Sequence, residues 1–168
     1  MLDDGVITLR QPAEADVDAI VEACQDPEIP RWTNVPTPYR REDALAYITR
    51  TANDPATRPF LAFAGDELVG SFSVMELDVE ARYGEIGYWV AAPARGRGLA
   101  TRALILLRDW AADELELERI ELLIHEDNVR SRRLAERTGF LDTGERRPAP
   151  RTEEPGPSRH AVYSWGRE

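Results

Sequence analysis

The sequence predicts an α/β fold of mixed α+β type, in which a mixed, mostly antiparallel sheet of about seven strands is covered by about four helices on both faces. Short apolar runs separated by turn signals recur along most of the chain, as they do in hairpin-connected strands. Residues 85–125 instead read strand, glycine-rich loop, long apolar helix and strand, which is a βαβ unit with one parallel strand pair. A chain of 168 residues is expected to form a single domain over residues 1–168.

The first half of the chain alternates predicted strands with amphipathic helices. A strand is expected at residues 6–10, and helical spacing of apolar residues is seen at 13–25 and 42–53. Residues 26–41 contain prolines at 27, 30, 36 and 38, which predicts an ordered loop without regular structure. Two strands at 59–64 and 68–77 flank the turn signal at residues 65–67 and predict a hairpin.

The second half contains the βαβ unit and a final hairpin. The unit comprises a strand at residues 84–91, a helix at 98–115 and a strand at 119–125. A helix at 128–137 and strands at 140–145 and 160–165 follow. Residues 146–159, with prolines at 148, 150, 155 and 157, predict a mobile loop.

Composition narrows the class of protein. The chain is 42% hydrophobic with a mean hydropathy of -0.46, and no apolar run approaches the roughly 20 residues that span a bilayer, so no membrane association is expected. The N-terminus lacks the basic and apolar regions of a secretory signal. Cys24 is the only cysteine, which excludes an internal disulfide and favours a cytoplasmic location with Cys24 as an inert core residue. No metal site is expected.

The charge is unevenly distributed along the chain. Residues 1–90 carry 17 acids and 7 arginines, a net charge of -10, whereas residues 91–168 carry 14 of each and are neutral. One interpretation is simple solubility. The other is that the first half faces a cationic acceptor and the second half an anionic cofactor. No basic run stands out, so direct nucleic-acid binding is not expected.

Residues 94–101 form a candidate phosphate-binding turn. Gly96 and Gly98 let the backbone approach an anion closely, and the turn opens directly into a helix whose N-terminus carries free N–H groups and positive partial charge. Arg95, Arg97 and Arg102 could add charge. Because the chain contains no lysine, a P-loop is excluded, and a dinucleotide fingerprint fits weakly because Thr101 occupies its third glycine position.

A family resemblance fits this turn better. Residues 95–100, Arg-Gly-Arg-Gly-Leu-Ala, match the pyrophosphate loop of the GNAT superfamily of acyl-CoA-dependent N-acyltransferases. The preceding residues 85–90, Glu-Ile-Gly-Tyr-Trp-Val, resemble its central strand, and residues 128–131 and 138–140 resemble its second motif. The resemblance covers essentially the whole chain and is closest to the RimJ/RimL type, which acetylates ribosomal-protein N-termini.

The resemblance implies acetyl-CoA as co-substrate and assigns roles along the chain. Backbone groups of residues 89–91 would bind the pantetheine arm and the oxyanion, and Asn128 would contact the pantetheine or simply cap its helix. Glu85 is the candidate base, and Ser131 the candidate donor to the leaving thiolate. Many relatives use a tyrosine four residues later, where this chain has Ala135. The predicted cofactor-binding set is Trp89, Val90, Ala91, Arg95, Gly96, Arg97, Gly98, Leu99, Ala100, Thr101, Asn128 and Ser131.

The acceptor is predicted from the acidity of amines. A free α-amine, with a pKa near 7.7–8.0, is neutral at pH 7 in about one molecule in ten, whereas a lysine costs about 4.6 kcal/mol to deprotonate. A single carboxylate base therefore favours a peptide N-terminus, with small amines left open. Trp32, Tyr39 and Tyr83 are candidate acceptor-binding aromatics, and Trp89 is a further one beside its predicted role toward the cofactor. His125 and His160 are weaker candidates for a base.

Two alternatives to an N-terminal acetyltransferase remain open at this point. The chain could bind CoA without catalysis, as a sensor or scaffold, since Ala135 removes a hydroxyl that many relatives use. It could also transfer another acyl group, such as succinyl, whose second carboxylate would suit an arginine-rich environment. A homodimer is a further possibility.

Overall fold

The computed structural model describes residues 1–148 and 159–166. These residues contain eight strands and five α-helices. The strands are β1 (Leu2–Asp3), β2 (Thr8–Arg10), β3 (Arg58–Ala64), β4 (Glu67–Asp78), β5 (Tyr83–Val90), β6 (Arg119–His125), β7 (Leu141–Pro148) and β8 (Arg159–Gly166). The helices are α1 (Val17–Ala23), α2 (Glu28–Trp32), α3 (Arg41–Asn53), α4 (Leu99–Glu114) and α5 (Val129–Arg137).

The strands form one sheet in the order β1-β2-β3-β4-β5-β6-β8-β7. Every neighbouring pair is antiparallel except β5 and β6, which are parallel and joined through α4. This confirms the predicted mixed, mostly antiparallel sheet with a single βαβ unit. Because a parallel pair needs a crossover connection, the glycine-rich turn and α4 are the parts of the chain that bring β5 beside β6.

Helices cover both faces of the sheet, as predicted. On one face, α4 and α5 pack over strand residues such as Phe72, Ile120 and Tyr163 in the larger hydrophobic cluster. On the other face, α1 and α3 pack around Leu61 in a smaller cluster that also holds Cys24. Cys24 is buried and its pKa is raised to about 12 by burial, which keeps the thiol protonated and agrees with its expected inert role.

The structure contains one short α-helix and one short strand that the sequence did not predict. Helix α2 lies inside the proline-rich segment expected to be irregular. That expectation was wrong because Pro30 occupies the third helical position, where a missing N–H costs nothing as it would have no partner within the helix. Strand β1 is only two residues long and pairs Leu2 with Leu9, too short to show an alternating pattern.

The last hairpin differs from its predicted boundaries. Strand β7 extends to Pro148, three residues beyond its predicted end, because an irregularity between Asp142 and Arg146 lets pairing with β8 resume. Gly144, at φ 80°, lies within this bulge. The rest of the predicted mobile loop, residues 149–158, lies outside the described residues.

The β5–β6 pair opens into a gap, which positions the candidate site. Within the described residues the two strands pair only from Tyr83↔Arg119 to Glu85↔Glu121. The later part of β5 therefore has a free edge on this side, at the point where β6 leads into α5. Over residues 1–148 and 159–166, no helix combines the length and apolarity that crossing a membrane requires.

Candidate active site

A cavity of about 760 Å³ lies at the open end of the β5–β6 gap, a volume in the range of small-molecule sites. Its walls come from α2, the end of β5, the turn into α4, and α5. Tyr88 belongs to the cluster under α4 and α5, whereas Trp89 packs on the side of α1 and α3. The cavity is therefore accessible to groups from both faces of the sheet.

The turn into α4 supplies unpaired backbone donors to this cavity. Ala94, Arg95, Gly96, Gly98, Ala100 and Thr101 line it. Gly98 is the residue before the helix, has a φ of 77°, and offers no side-chain cap. The backbone N–H of Arg102 donates to the Gly98 carbonyl at 3.3 Å. The backbone N–H groups of residues 96–101 have no acceptor within the described chain. The positive end of a 16-residue helix thus points into the cavity.

The three arginines predicted to surround this anion are engaged elsewhere. Arg95 lines the cavity, but its guanidinium donates to the Val90 carbonyl at 3.0 and 2.7 Å and pairs with Asp26 at 2.6 Å. Arg97 binds Glu67 at 2.7 Å and does not line the cavity. Arg102 pairs with Asp4 at 2.9 Å. The role of Arg95 here is to fasten the turn to the end of β5.

Three other arginines, which were not singled out from the sequence, supply the positive charge that was predicted for Arg95, Arg97 and Arg102. Arg130, Arg133 and Arg137 of α5 line the cavity, and no acidic partner in the described chain forms an ion pair with them. Their spacing of three and four residues puts them on one helix face. That spacing was readable in the sequence and would have identified a basic helix face, but not its position across the cavity from the α4 N-terminus.

The free edge of β5 offers only part of the predicted backbone contact. Ala91 donates its N–H to the Val69 carbonyl at 2.9 Å, so it faces β4 and is not available to a ligand. Adjacent residues of a strand direct their backbone groups to opposite sides, so the Val90 backbone faces the gap, where its carbonyl already accepts from Arg95. Of the predicted backbone donors, Val90 N–H is the one placed on the open edge. Leu99 is buried in the core and does not line the cavity.

Asn128 and Ser131 stand together at the start of α5. Asn128 is the residue that caps the helix, and its Oδ1 accepts the Ser131 N–H at 3.1 Å. Both residues line the cavity. The cap therefore fixes the first turn of α5, and with it the position of the Ser131 hydroxyl.

Tyr88 is a cavity residue that sequence reasoning did not single out. Its hydroxyl lies 2.6 Å from Ser131 Oγ, and its ring stacks on Phe72 at 5.5 Å. Burial raises the pKa of Tyr88 to about 12. The hydroxyl pair therefore stays protonated and uncharged at neutral pH. Ala135, one turn further along α5, is fully buried.

Glu85 lies nearer the start of β5 than the residues that line the cavity. It is buried at 9% exposure, opposite Glu121 of the parallel pair, and does not contribute to the cavity wall. It shares the Trp89 face of β5, since residues four apart in a strand point the same way, and the two Cα atoms are about 13 Å apart along the strand. Glu85 thus faces the side of the sheet where α1 to α3 pack.

The predicted acceptor aromatics are separated by the fold. Trp32 of α2 lines the cavity. Tyr39 is instead a core residue at 8% exposure, and burial raises its pKa. Tyr83 lies at the far end of β5, where its hydroxyl donates to Glu121 at 3.0 Å. The expectation that Tyr39 and Tyr83 line an acceptor pocket is therefore not met by this cavity.

The two histidines form an aromatic cluster with Trp32. The His125 ring is 5.3 Å from Trp32 and 5.4 Å from the His160 ring. Burial lowers the pKa of His160, and its Nδ1 has no hydrogen-bond partner in the described chain. Neither histidine lines the cavity. Within residues 1–148 and 159–166, no group of three potential metal ligands comes together.

The chain matches a known protein family over most of its length. The family model of the acetyltransferase (GNAT) domain matches residues 7–141, which is most of the chain. The chain therefore belongs to the GNAT acetyltransferases, a family of acyl-CoA-dependent N-acetyltransferases, and the resemblance drawn from its motifs is confirmed.

Individual relatives point to the predicted branch. YdaF of Bacillus subtilis, provisionally named a ribosomal N-acetyltransferase, is 41% identical over 80 residues, or 48% of this chain and 44% of that protein. The ribosomal-protein-serine acetyltransferase of Escherichia coli is 34% identical over 85 residues, 51% of this chain and 48% of that protein. The chain thus aligns with about half the length of these two relatives.

A solved structure shows the same fold over nearly the whole chain. The structure from Vibrio cholerae, provisionally described as a ribosomal-protein-serine acetyltransferase, superposes with a TM-score of 0.84. It covers 99% of this chain and 97% of its own at 21% identity. The GNAT fold predicted from the sequence is therefore confirmed.

Proposed function

We propose that this protein transfers the acetyl group of acetyl-CoA to a primary amine, and that the amine is the α-amine of a protein or peptide N-terminus. The observation that carries the proposal is the convergence of unpaired amides at the α4 N-terminus and unpaired arginines of α5 on one cavity. Such a combination binds phosphate groups. The hydroxyls of Tyr88 and Ser131 line the same cavity beside the gap between the parallel strands, where a thioester would lie.

In this proposal, residues of the turn and of α5 hold the nucleotide end of acetyl-CoA. Amides of residues 96–101 bind the pyrophosphate, and Arg130, Arg133 and Arg137 provide the balancing charge. The acyl end extends along the free edge of β5, where the Val90 N–H is directed into the gap. Positioning of this kind can contribute about 7–11 kcal/mol toward the barrier of a two-substrate reaction.

The chemical step is direct attack within a ternary complex. The neutral amine attacks the thioester carbon, forming a C–N bond while negative charge collects on the carbonyl oxygen, which the Val90 N–H stabilises. The C–S bond then breaks and its electron pair leaves with sulfur. The amine loses one proton and the thiolate gains one. We assign Glu85 as the final acceptor of the amine proton, relayed through water on the α1–α3 face, and Ser131 as a hydrogen-bond donor to the departing sulfur, whose own proton comes from solvent.

The acceptor is proposed from charge and amine acidity. Residues 1–90 hold the whole acidic excess of the chain, and α2, which belongs to this half, forms one wall of the cavity. That wall carries one acid, Glu28, which pairs with Arg31 at 3.0 Å, so a cationic N-terminus suits the acidic half as a whole rather than this wall. An α-amine is also easier to deprotonate than lysine. We expect residues 1–168 to fold as one domain in the cytoplasm, where the single cysteine of the sequence, which is buried, stays reduced.

A thiol-release assay tests the proposal. Purified protein is incubated with acetyl-CoA and peptides that differ only in whether their N-terminus is free or blocked, and with a polyamine as a small-molecule comparison. We expect release only with free N-termini, with the acetyl group located there by mass spectrometry. Activity on the polyamine alone would show that the acceptor is a small amine and not a protein N-terminus. CoA binding without turnover on any amine would instead identify a CoA-binding module.

A further inference from the structure

The hydroxyl pair of Tyr88 and Ser131 carries an inference that rests on the proposed acetyl transfer and deepens it. The two oxygen atoms are 2.6 Å apart, and both residues line the cavity. The backbone N–H of Ser131 donates to Asn128 Oδ1 at 3.1 Å, which fixes the first turn of α5. Tyr88 is held by its stacking on Phe72. Two different elements, β5 and α5, thus bring their hydroxyls to one point of the gap.

The surroundings of the pair decide the direction of the hydrogen bond. Ser131 is the one hydrogen-bond partner that the described chain provides for the Tyr88 hydroxyl. A buried donor without an acceptor costs about 1–3 kcal/mol, so Tyr88 donates to Ser131 Oγ. Ser131 then accepts through a lone pair and keeps its own O–H. That hydrogen is free to turn toward the cavity, where the leaving sulfur would lie.

We propose that Tyr88 is a positioning residue that fixes the Ser131 hydroxyl as a hydrogen-bond donor to the departing thiolate of CoA. When the C–S bond breaks, the electron pair goes to sulfur and Ser131 O–H donates to it. Tyr88 strengthens that donation by hydrogen bonding to the same oxygen.

Tyr88 keeps its proton throughout this step. A pKa raised to about 12 lies well above the roughly 8.5 of a thiol, so the thiolate cannot remove the phenol proton at equilibrium. The proton that sulfur finally gains is balanced by the one that the amine loses. The contribution of Tyr88 is therefore orientation and polarisation, and it is expected to change kcat rather than the binding of acetyl-CoA.

Single substitutions with a matched control test the proposal. We expect Tyr88→Phe to lower kcat by about tenfold, the equivalent of one hydrogen bond, with KM for acetyl-CoA unchanged. Tyr47→Phe is the control, because Tyr47 OH lies 3.0 Å from Ser71 Oγ in a similar buried pair that is not part of the cavity. Thermal unfolding of both variants verifies that they fold. Equal kcat values for Tyr88→Phe and Tyr47→Phe would overturn the proposal.

A double substitution tests whether Tyr88 acts through Ser131. Ser131→Ala removes the donor, so adding Tyr88→Phe to it is expected to lower kcat no further. Independent, multiplying losses would contradict the positioning role.

Changing the leaving thiol provides a measurement that would not respond if Tyr88 only supported the fold. An acetyl thioester of a more acidic thiol, such as an aryl thiol, needs less help to depart. The ratio of parent to Tyr88→Phe in kcat/KM should therefore approach one with an aryl thioester and stay near tenfold with acetyl-CoA. The same ratio for both donors would refute the proposal. Failure of the parent to release thiol from acetyl-CoA would instead refute the proposed function.

Discussion

At the residue scale, the fold assigns different tasks to residues that looked alike in the sequence. Arg95, Arg97 and Arg102 appeared equivalent around the anion, but each is neutralised by an acid from another part of the chain, Asp26, Glu67 and Asp4 respectively. Ion pairs between residues distant in sequence follow from tertiary packing, which local motifs do not encode. The arginines of α5, by contrast, were identifiable from their helical spacing.

The aromatic residues show the same limit of sequence reasoning. Tyr39 and Tyr83 were equal candidates with Trp32, yet one is a core residue and the other lies at the opposite end of β5. Strand periodicity predicts which face a side chain takes, but it does not predict where along the sheet the strands separate. The Tyr88–Ser131 pair depends on that separation and was missed for the same reason.

Glu85 provides the prediction at this scale. Glu85→Gln is expected to lower kcat by about a hundredfold or more, because the neutral amide cannot accept the amine proton. CoA affinity should not change, since Glu85 lies outside the cavity wall. Turnover under saturating acetyl-CoA and peptide, with calorimetric CoA titration, measures the two quantities.

The neighbouring acid is the matched control for this prediction. Glu121 is buried at 4% exposure opposite Glu85, but it is held by Arg147 at 2.8 Å and by Tyr83. Glu121→Gln should lose some stability and retain turnover. A Glu85→Gln variant as active as Glu121→Gln would show that Glu85 is not the base.

At the scale of elements, the sequence predicted the βαβ unit and its glycine turn because each carries a local signal. The turn residues need positive φ, and α4 shows a continuous apolar face, with Ala103, Leu104 and Leu107 fully buried. Helix α2 and strand β1 carry no comparable signal, because five and two residues are too few for periodicity. Their formation depends on packing against the rest of the molecule.

Gly98 provides the prediction at this scale. A Cβ at Gly98 would meet no atom within 4 Å, but the residue has a φ of +77°. Gly98→Ala is therefore expected to cost about 1 kcal/mol of unfolding free energy through backbone strain. Because relief of that strain would rotate the free amides of the turn, we also expect weaker CoA binding, measured by calorimetry.

Gly65 in the β3–β4 turn is the matched comparison. It has a φ of +59° and equally open surroundings, but it lies outside the cavity. Gly65→Ala should lose similar stability by chemical denaturation and bind CoA normally. Equal CoA affinity in the two variants would mean that the geometry of the α4 turn does not matter for the cofactor.

At the scale of the whole molecule, the two halves of the chain supply different sides of one cavity. Residues 91–168 contribute the α4 turn and the basic face of α5, which suit an anion, while residues 1–90 contribute α2 and the end of β5. The sequence shows the uneven charge but leaves open whether it serves solubility or faces the two substrates. It could not predict that both halves meet at the β5–β6 gap, because that gap results from only three paired positions in the parallel ladder.

The central claim is that main-chain amides at the start of α4, with the arginines of α5, bind the diphosphate of CoA. Isothermal titration calorimetry of folded protein with CoA tests it most directly. We expect saturable binding at one site per chain that weakens as salt concentration rises, and that weakens further in Arg133→Gln but not in Arg82→Gln, whose exposed side chain pairs with Glu118. Absence of any binding heat across a range of temperatures, from protein shown to be folded, would contradict the account.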